Sequence, residues 1–155
     1  MAQQYRTAWV AEYARGCIDA HQGRVDAGLF PLFVKGQAAS EAALARQANR
    51  VLICDSDAFT TALYHELYIG GRPAWIMAEA KARKYDLYLL ADPDGTPYIA
   101  DNQRLHPQHR TWFFNECLGW LQQQNRPYLV LRGDWDQRFA QACAAVDTLL
   151  DKLSI

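Results

Sequence analysis

The sequence predicts an α/β protein with three α/β/α layers around a parallel sheet. Three short, continuously apolar runs are each followed by a carboxylate, and segments of helical periodicity lie between them. The runs span Val51–Cys54, Leu87–Leu90 and Tyr128–Leu131, and a weaker one spans Thr7–Val10. Continuously apolar strands suit a sheet covered on both faces, and their alternation with helices favours right-handed parallel crossovers.

The clearest predicted helix is the last one, which Asp134 is placed to cap. Its apolar residues recur at three- and four-residue steps, a spacing that predicts a buried stripe. The members of this predicted core stripe are Trp135, Phe139, Ala142, Val146, Leu149, Leu150 and Leu153.

Three more helices are predicted upstream. One spans Trp112–Gln124, an alanine-rich one spans Ala38–Arg50, and a third begins after Asp57 and continues to Tyr68. Gly70-Gly71 closes the third, because glycine readily adopts the backbone conformation that ends helices.

Length and composition favour one domain over residues 1–155. The 17 acidic and 16 basic residues nearly balance, so no global basic field indicates nucleic-acid binding. No apolar run approaches the roughly 20 residues of a membrane span, and no signal peptide is evident. We expect a cytoplasmic protein whose four dispersed cysteines are reduced.

The longest irregular stretch, about 92–110, predicts a lid-like loop, although a loop of this length is in some proteins simply poorly ordered. Arg104 and Arg110 could close over transferring phosphates, since a planar fork of donors stabilises charge on phosphoryl oxygens. Taken alone, each arginine is more often a solvated surface residue. His106 and His109 lack ligands at metal spacing and stay unassigned.

Carboxylates follow the predicted strands, and ligands of open parallel sheets bind beyond the carboxyl ends of strands. Asp55 is the candidate magnesium ligand, because this ion prefers oxygen ligands and binds one or two carboxylates plus substrate phosphates. The alternative is that Asp55 merely closes the turn and Asp57 caps the following helix, and for Asp57 the cap is the favoured interpretation. Trp9 could stack a heterocycle beside Glu12, or belong to the core.

Several segments together resemble the ribosylnicotinamide kinase domain of NadR-type NAD-biosynthesis proteins, a P-loop kinase family. The segments are TAWVAEYAR, VLICDSDAFTTALYHELYIG, YDLYLLADPDGTPYIADNQR and RPYLVLRGDWDQRFAQA. The resemblance covers nearly the whole chain. It implies a P-loop kinase fold and the ATP- and Mg²⁺-dependent phosphorylation of the 5'-hydroxyl of nicotinamide riboside, which gives nicotinamide mononucleotide.

The same resemblance implies roles for individual residues. Trp9 and Phe33 would flank the nicotinamide ring, Glu12 would contact or activate the ribose hydroxyl, and Asp55 would hold magnesium. The remaining implied site residues are Arg104 and Arg110 in the lid, Asp57, Tyr98 and Asp101 on the substrate side, and Arg132 and Gly133 near the adenine.

The chain departs from the family in two places. The lid motif PWVxDGxR is here Pro97-Tyr-Ile-Ala-Asp-Asn-Gln-Arg104, and the phosphate-binding motif GxxxxGK[ST] does not occur. The sequence also starts where the helix after that loop should end, so we expect the first strand and P-loop of the fold to be missing. Met1–Tyr5 would be the last turn of that helix, and this chain by itself would have little or no kinase activity.

Two alternatives stay open. The domain could be a non-catalytic module that binds a nucleoside or a protein partner, or a kinase for a different small nucleoside. The expected partners are a small-molecule nucleoside and ATP, without nucleic acid or membrane. A homo-oligomer is possible, because the strands that border the missing strand would need to pair directly or recruit another chain.

Overall fold

The computed structural model describes residues 1–100, 103 and 107–152; the expected site residues Asp101 and Arg104 lie outside them. The chain divides into two compact units, Ala2–Arg83 and a second from Lys84 onward. The expectation of a single domain stays a prediction. No helix among the described residues is long and apolar enough to cross a bilayer.

The first unit contains a two-stranded parallel sheet. Its elements in order are α1 (Ala2–Tyr5), β1 (Trp9–Val10), α2 (Tyr13–Ala20), α3 (Phe30–Ala45), β2 (Ile53–Cys54), α4 (Ala58–Tyr68) and α5 (Ala74–Ala82), with a 3-10 turn at Ala27–Leu29. Strand β1 pairs with β2 in the register Trp9↔Ile53 and Val10↔Cys54. The predicted strands therefore exist here but are shorter than their apolar runs.

The second unit contains another two-stranded parallel sheet. Its elements are β3 (Tyr88–Ala91), α6 (Arg110–Gln123), β4 (Tyr128–Leu131) and α7 (Trp135–Lys152), with a 3-10 turn at Pro107–His109. Strands β3 and β4 pair from Tyr88↔Tyr128 to Ala91↔Leu131. The predicted α/β class with parallel strands is confirmed, whereas the three-layer arrangement and the missing strand stay predictions.

Helix α3 carries the core of the first unit. Phe30, Phe33 and Val34 are each at most 4% exposed, and they pack with Leu29, Ala62 and Ile76. Phe30 and Phe33 meet edge to face, with ring centroids 5.2 Å apart. The sequence predicts this helix at residues 38–50, whereas it spans Phe30–Ala45. The alanine-rich second half is more obviously helical than the Phe-Pro-Leu-Phe segment that begins the helix.

Helix ends follow their local chemistry. Asp134 accepts a hydrogen bond from the Gln137 N–H at 2.9 Å, which confirms the predicted cap of α7. Gly70, with φ +104°, follows α4 as predicted. Asn125, with φ +50°, ends α6 in the same left-handed region.

The predicted core stripe of α7 is wrong at Trp135 and Phe139, and its last member, Leu153, lies outside the described residues. Trp135 is 65% exposed and Phe139 is 45% exposed, whereas the buried positions are Arg138, Ala142 and Val146, together with Leu150. The buried stripe thus begins one residue before Phe139. Arg138 is drawn inward because its guanidinium donates to the Gly133 carbonyl at 2.7 Å.

Two glycines of the second unit should respond in opposite directions to alanine substitution. Gly119 lies inside α6 with no atom within 4 Å of an added Cβ, so Gly119→Ala should raise the free energy of unfolding by about 0.5–1 kcal/mol. Gly133 has φ +90°, and an added Cβ would lie 2.0 Å from the Gln137 side-chain oxygen. Gly133→Ala should lower the free energy of unfolding by about 1–3 kcal/mol.

Urea unfolding followed by circular dichroism measures both effects. Equal responses of the two variants would contradict the backbone conformations described for these glycines.

Candidate functional site

The carboxyl ends of β1 and β2 lie side by side in the first unit. The Asp55 N–H donates to the Val10 carbonyl at 2.8 Å, which adds one more hydrogen bond where β2 ends. Glu12 follows β1 by two residues and directly precedes α2. The segments that carry Trp9, Glu12 and Asp55 are therefore neighbours, which is the place where parallel sheets bind ligands.

Arg15 links the two acidic positions electrostatically. Its Nε lies 3.0 Å from Glu12 Oε2, and its charge opposes the rise in pKa that burial causes at Asp55. The Glu12 side chain is 16% exposed and that of Arg15 is 41% exposed. Sequence reasoning overlooked Arg15, although it stands three residues after Glu12, a spacing that brings side chains together on a helix.

Asp55, the candidate magnesium ligand, directly follows β2. Its side chain makes no hydrogen bond within residues 1–100, 103 and 107–152, although its main chain is firmly bonded. Asp55 is an exposed residue, but partial desolvation of its carboxyl raises its pKa, and this outweighs the opposing effect of Arg15. A bound cation would reverse the rise, because positive charge favours the ionised form. This donor type fits Mg²⁺, although no cluster of three ligating side chains occurs in the described part of the chain.

Asp57 serves the start of α4. Its carboxylate accepts from the Thr60 N–H at 2.8 Å, and the Thr60 hydroxyl accepts from the Asp57 N–H at 3.0 Å. This reciprocal pair is a capping box. The cap expected for Asp57 is confirmed, and its role as a substrate-binding residue stays a prediction.

The expected aromatic walls differ in exposure. Trp9 is 55% exposed at the strand end, so its ring is accessible to a ligand. Phe33 is 4% exposed within the core of α3, and its role as a second wall gains no support from this packing. Tyr13 is 40% exposed and its ring lies against Gly36, where an added Cβ would be only 2.1 Å from it.

A buried polar network lies beneath the strand ends. Gln37 is 7% exposed and Glu41 is 8% exposed. The Gln37 amide donates to the Asp55 carbonyl at 3.2 Å and to Glu41 at 3.3 Å, while Arg83 donates to Glu41 at 2.7 Å. Sequence reasoning missed these residues; their only signal is a polar pair at i and i+4 that continues the buried face of α3.

Cys54 lies against the same network. Burial, followed by the charge of Glu41, raises the pKa of its thiol to about 11, and Arg83 opposes the rise. The thiol is therefore protonated at neutral pH, which makes it a poor nucleophile.

In the second unit, Arg110 holds the loop that follows β3. Its guanidinium donates to the Pro93 carbonyl at 2.9 Å and to Thr96 at 3.3–3.5 Å. The Tyr98 ring centroid is 6.0 Å from the Arg110 Cζ. The described part of the predicted lid is thus fastened to the start of α6, and the catalytic role of Arg110 stays a prediction.

The turn at Arg132 and Gly133 follows β4. Arg132 is largely exposed, and its Nε lies 3.1 Å from Asp92 Oδ2 at the end of β3. The Asp94 N–H, followed by Arg132, lowers the pKa of Asp92. Gly133 and Asp94 offer carbonyls to the buried Arg138. The strand ends of this unit are therefore tied together, and the adenine contact expected here stays a prediction.

Asp57 generates a test of pH dependence. Burial raises the pKa of this carboxyl above 3.8, although the hydrogen bonds from Thr60 oppose the rise. The folded state then binds more protons than the unfolded state, so the stabilisation is full below the unfolded pKa and is lost as pH rises through the folded pKa. Asp57→Asn keeps a good cap and should remove this loss.

Urea unfolding between pH 3 and pH 8 gives the comparison, with Asp57→Ala as the variant that loses the cap, at about 1 kcal/mol. We expect Asp57→Asn to gain stability relative to the unmodified chain as pH rises. Parallel pH profiles of the two proteins would show that this carboxyl does not contribute.

Comparisons with known proteins agree with this architecture. Residues 1–138 match the model of a family described as AAA domain. The chain is 25% identical to the trifunctional NAD biosynthesis/regulator protein NadR of Salmonella typhimurium and of Escherichia coli, over 97% of its own length and 38% of theirs. It thus spans well under half of the relatives it matches. The resemblance predicted from the sequence is confirmed: the chain is a NadR-like member of the AAA domain family.

Proposed function

We propose that this domain binds nicotinamide riboside and presents its 5'-hydroxyl for phosphorylation by ATP, giving nicotinamide mononucleotide. The observation that carries the proposal is the juxtaposition of Trp9, Glu12 and Asp55 at the paired ends of β1 and β2. Membership of the AAA domain family and similarity to proteins named for NAD biosynthesis support it.

The residues of the site divide the work. Trp9 offers an exposed ring face to the base, and Glu12 accepts a hydrogen bond from the ribose hydroxyl and takes up its proton as the hydroxyl attacks. Asp55 would hold Mg²⁺, which when bound neutralises charge on the phosphate oxygens. Arg15, whose Nε lies 3.0 Å from Glu12 Oε2, holds this carboxylate in place at the start of α2.

Phosphoryl transfer needs a phosphate-binding loop, and GxxxxGK[ST] does not occur in these 155 residues. We therefore propose that the chain alone binds the riboside without turning it over. Assays with ATP, Mg²⁺ and nicotinamide riboside should be run on this chain and on a form extended upstream to include any such loop. Binding in both and activity only in the extended form is the expected result.

Other outcomes lead elsewhere. Binding without activity in either form would favour a non-catalytic nucleoside-binding module. Absence of riboside binding from both forms would contradict the proposal. In an active form, Asp55→Asn should lower Mg²⁺-dependent turnover roughly a hundredfold or more, because metal stabilisation of a transition state is worth several kcal/mol. The exposed Asp151→Asn on α7 is the control.

Trp9 can be tested by binding alone. The nicotinamide ring of the riboside carries a positive charge, and the face of an indole attracts such cations. Trp9→Ala should raise the dissociation constant about tenfold, which corresponds to a loss of about 1.4 kcal/mol. Trp75→Ala, at another exposed tryptophan on α5, is the control and should leave binding unchanged.

The uncharged reduced riboside separates charge attraction from stacking. Its affinity should fall less than that of the cationic riboside in Trp9→Ala. Unchanged affinity of both ligands would show that Trp9 does not contact the base.

A further inference from the structure

Gln37 occupies an unusual place in the first unit. It lies on α3 one turn beyond the core residues Phe33 and Val34, and it is 7% exposed. Its side-chain amide makes three hydrogen bonds, to the Tyr13 N–H, the Glu41 carboxylate and the Asp55 carbonyl. A buried amide left unpaired costs about 1–3 kcal/mol, so each of these groups constrains the others.

The first bond caps another helix. The Tyr13 N–H, at the first position of α2, donates to Gln37 Oε1 at 3.0 Å. Helix-initial N–H groups have no partner within their helix, and the residue at the cap position, Glu12, makes no capping bond with its side chain. Gln37 supplies this cap from α3, while the Glu12 carboxylate is bonded to Arg15.

The second bond holds the other strand end. Gln37 Nε2 donates to the Asp55 carbonyl at 3.2 Å. The ladder between the strands spans only two residue pairs and one further bond from Asp55 to Val10. One side chain therefore joins the backbones of Glu12's helix and of Asp55 where the ladder stops.

The third bond fixes which way the amide faces. Nε2 of Gln37 donates to Glu41 at 3.3 Å, and an ionised carboxylate can only accept. Arg83 donates to the other oxygen of Glu41 at 2.7 Å and balances its charge. The oxygen of Gln37 is thereby directed to Tyr13 and its nitrogen to Asp55.

We propose that Gln37 is the positioning residue of this site, which sets the separation of Glu12 and Asp55 through Tyr13 and the Asp55 carbonyl. The assignment deepens the proposed function and rests on it. Gln37 touches neither substrate nor metal. It acts on the two carboxylates through the backbones that carry them.

The test uses three forms of the full chain. Gln37→Met keeps the volume and removes all three bonds. The exchange of Gln37→Glu together with Glu41→Gln keeps an acceptor for Tyr13 and a bond between positions 37 and 41, but it cannot donate to Asp55. Gln47→Met, at an exposed glutamine just beyond α3, is the control.

Two readouts are needed, amide hydrogen exchange at Tyr13 and the dissociation constant of nicotinamide riboside. In Gln37→Met we expect the exchange rate of the Tyr13 amide and the dissociation constant each to rise about tenfold. Each readout reports the loss of one of the three bonds, and one bond is worth about this factor. In the exchanged pair we expect the protection of the Tyr13 amide to return to the value of the unmodified chain, because the acceptor at position 37 is kept. The dissociation constant should stay raised, because the Asp55 carbonyl has lost its donor.

Two results would overturn the assignment. One is unchanged exchange at Tyr13 in Gln37→Met. The other is recovery of riboside affinity in the exchanged pair along with Tyr13 protection, which would show that the bond to the Asp55 carbonyl does not affect the site. If Gln37→Met does not fold, the exchanged pair still decides. No riboside binding by the unmodified chain contradicts the proposed function, and exchange at Tyr13 then decides whether Gln37 caps α2.

Discussion

The pairing of buried polar groups on α3 is the constraint on which the first unit depends. The same face of this helix carries aromatic core residues in its first half and the Gln37 and Glu41 side chains further on. Buried polar atoms must find partners, so the ends of β1, α2 and β2 are drawn to one place on α3. Gly36 contributes through its missing side chain, since only a glycine allows the Tyr13 ring to lie so close to the helix.

Acidic and basic side chains pair around Gln37 and Glu41. Glu12 is bonded to Arg15, Arg15 acts on Asp55, and Arg83 is bonded to Glu41. The surroundings favour protonated forms: the pKa of Asp55 and of Cys54 are both raised by burial. A cation bound at Asp55 would oppose the rise in its pKa, because positive charge favours the ionised carboxylate.

In the second unit, arginine side chains rather than a glutamine hold the segments that follow the strands. Its strand ends carry exposed and partly buried charges, and the buried Arg138 gathers main-chain carbonyls of Gly133 and Asp94. Arg110 does likewise for Pro93 and Thr96. Guanidinium groups suit this work because they present several donors in one plane. These arginines hold loops in the described structure, which a motif alone does not reveal.

Local chemistry let the sequence determine the α/β class, the parallel strands, and the caps at Asp57 and Asp134, since apolar runs, periodicity and cap residues act within a few positions. Only the tertiary structure decided that Trp135 and Phe139 face outward while Arg138 turns in. It likewise placed Phe33 in the core and Gln37 between two strand ends. These outcomes depend on partners 18 to 44 residues away along the chain, whose positions no local pattern encodes.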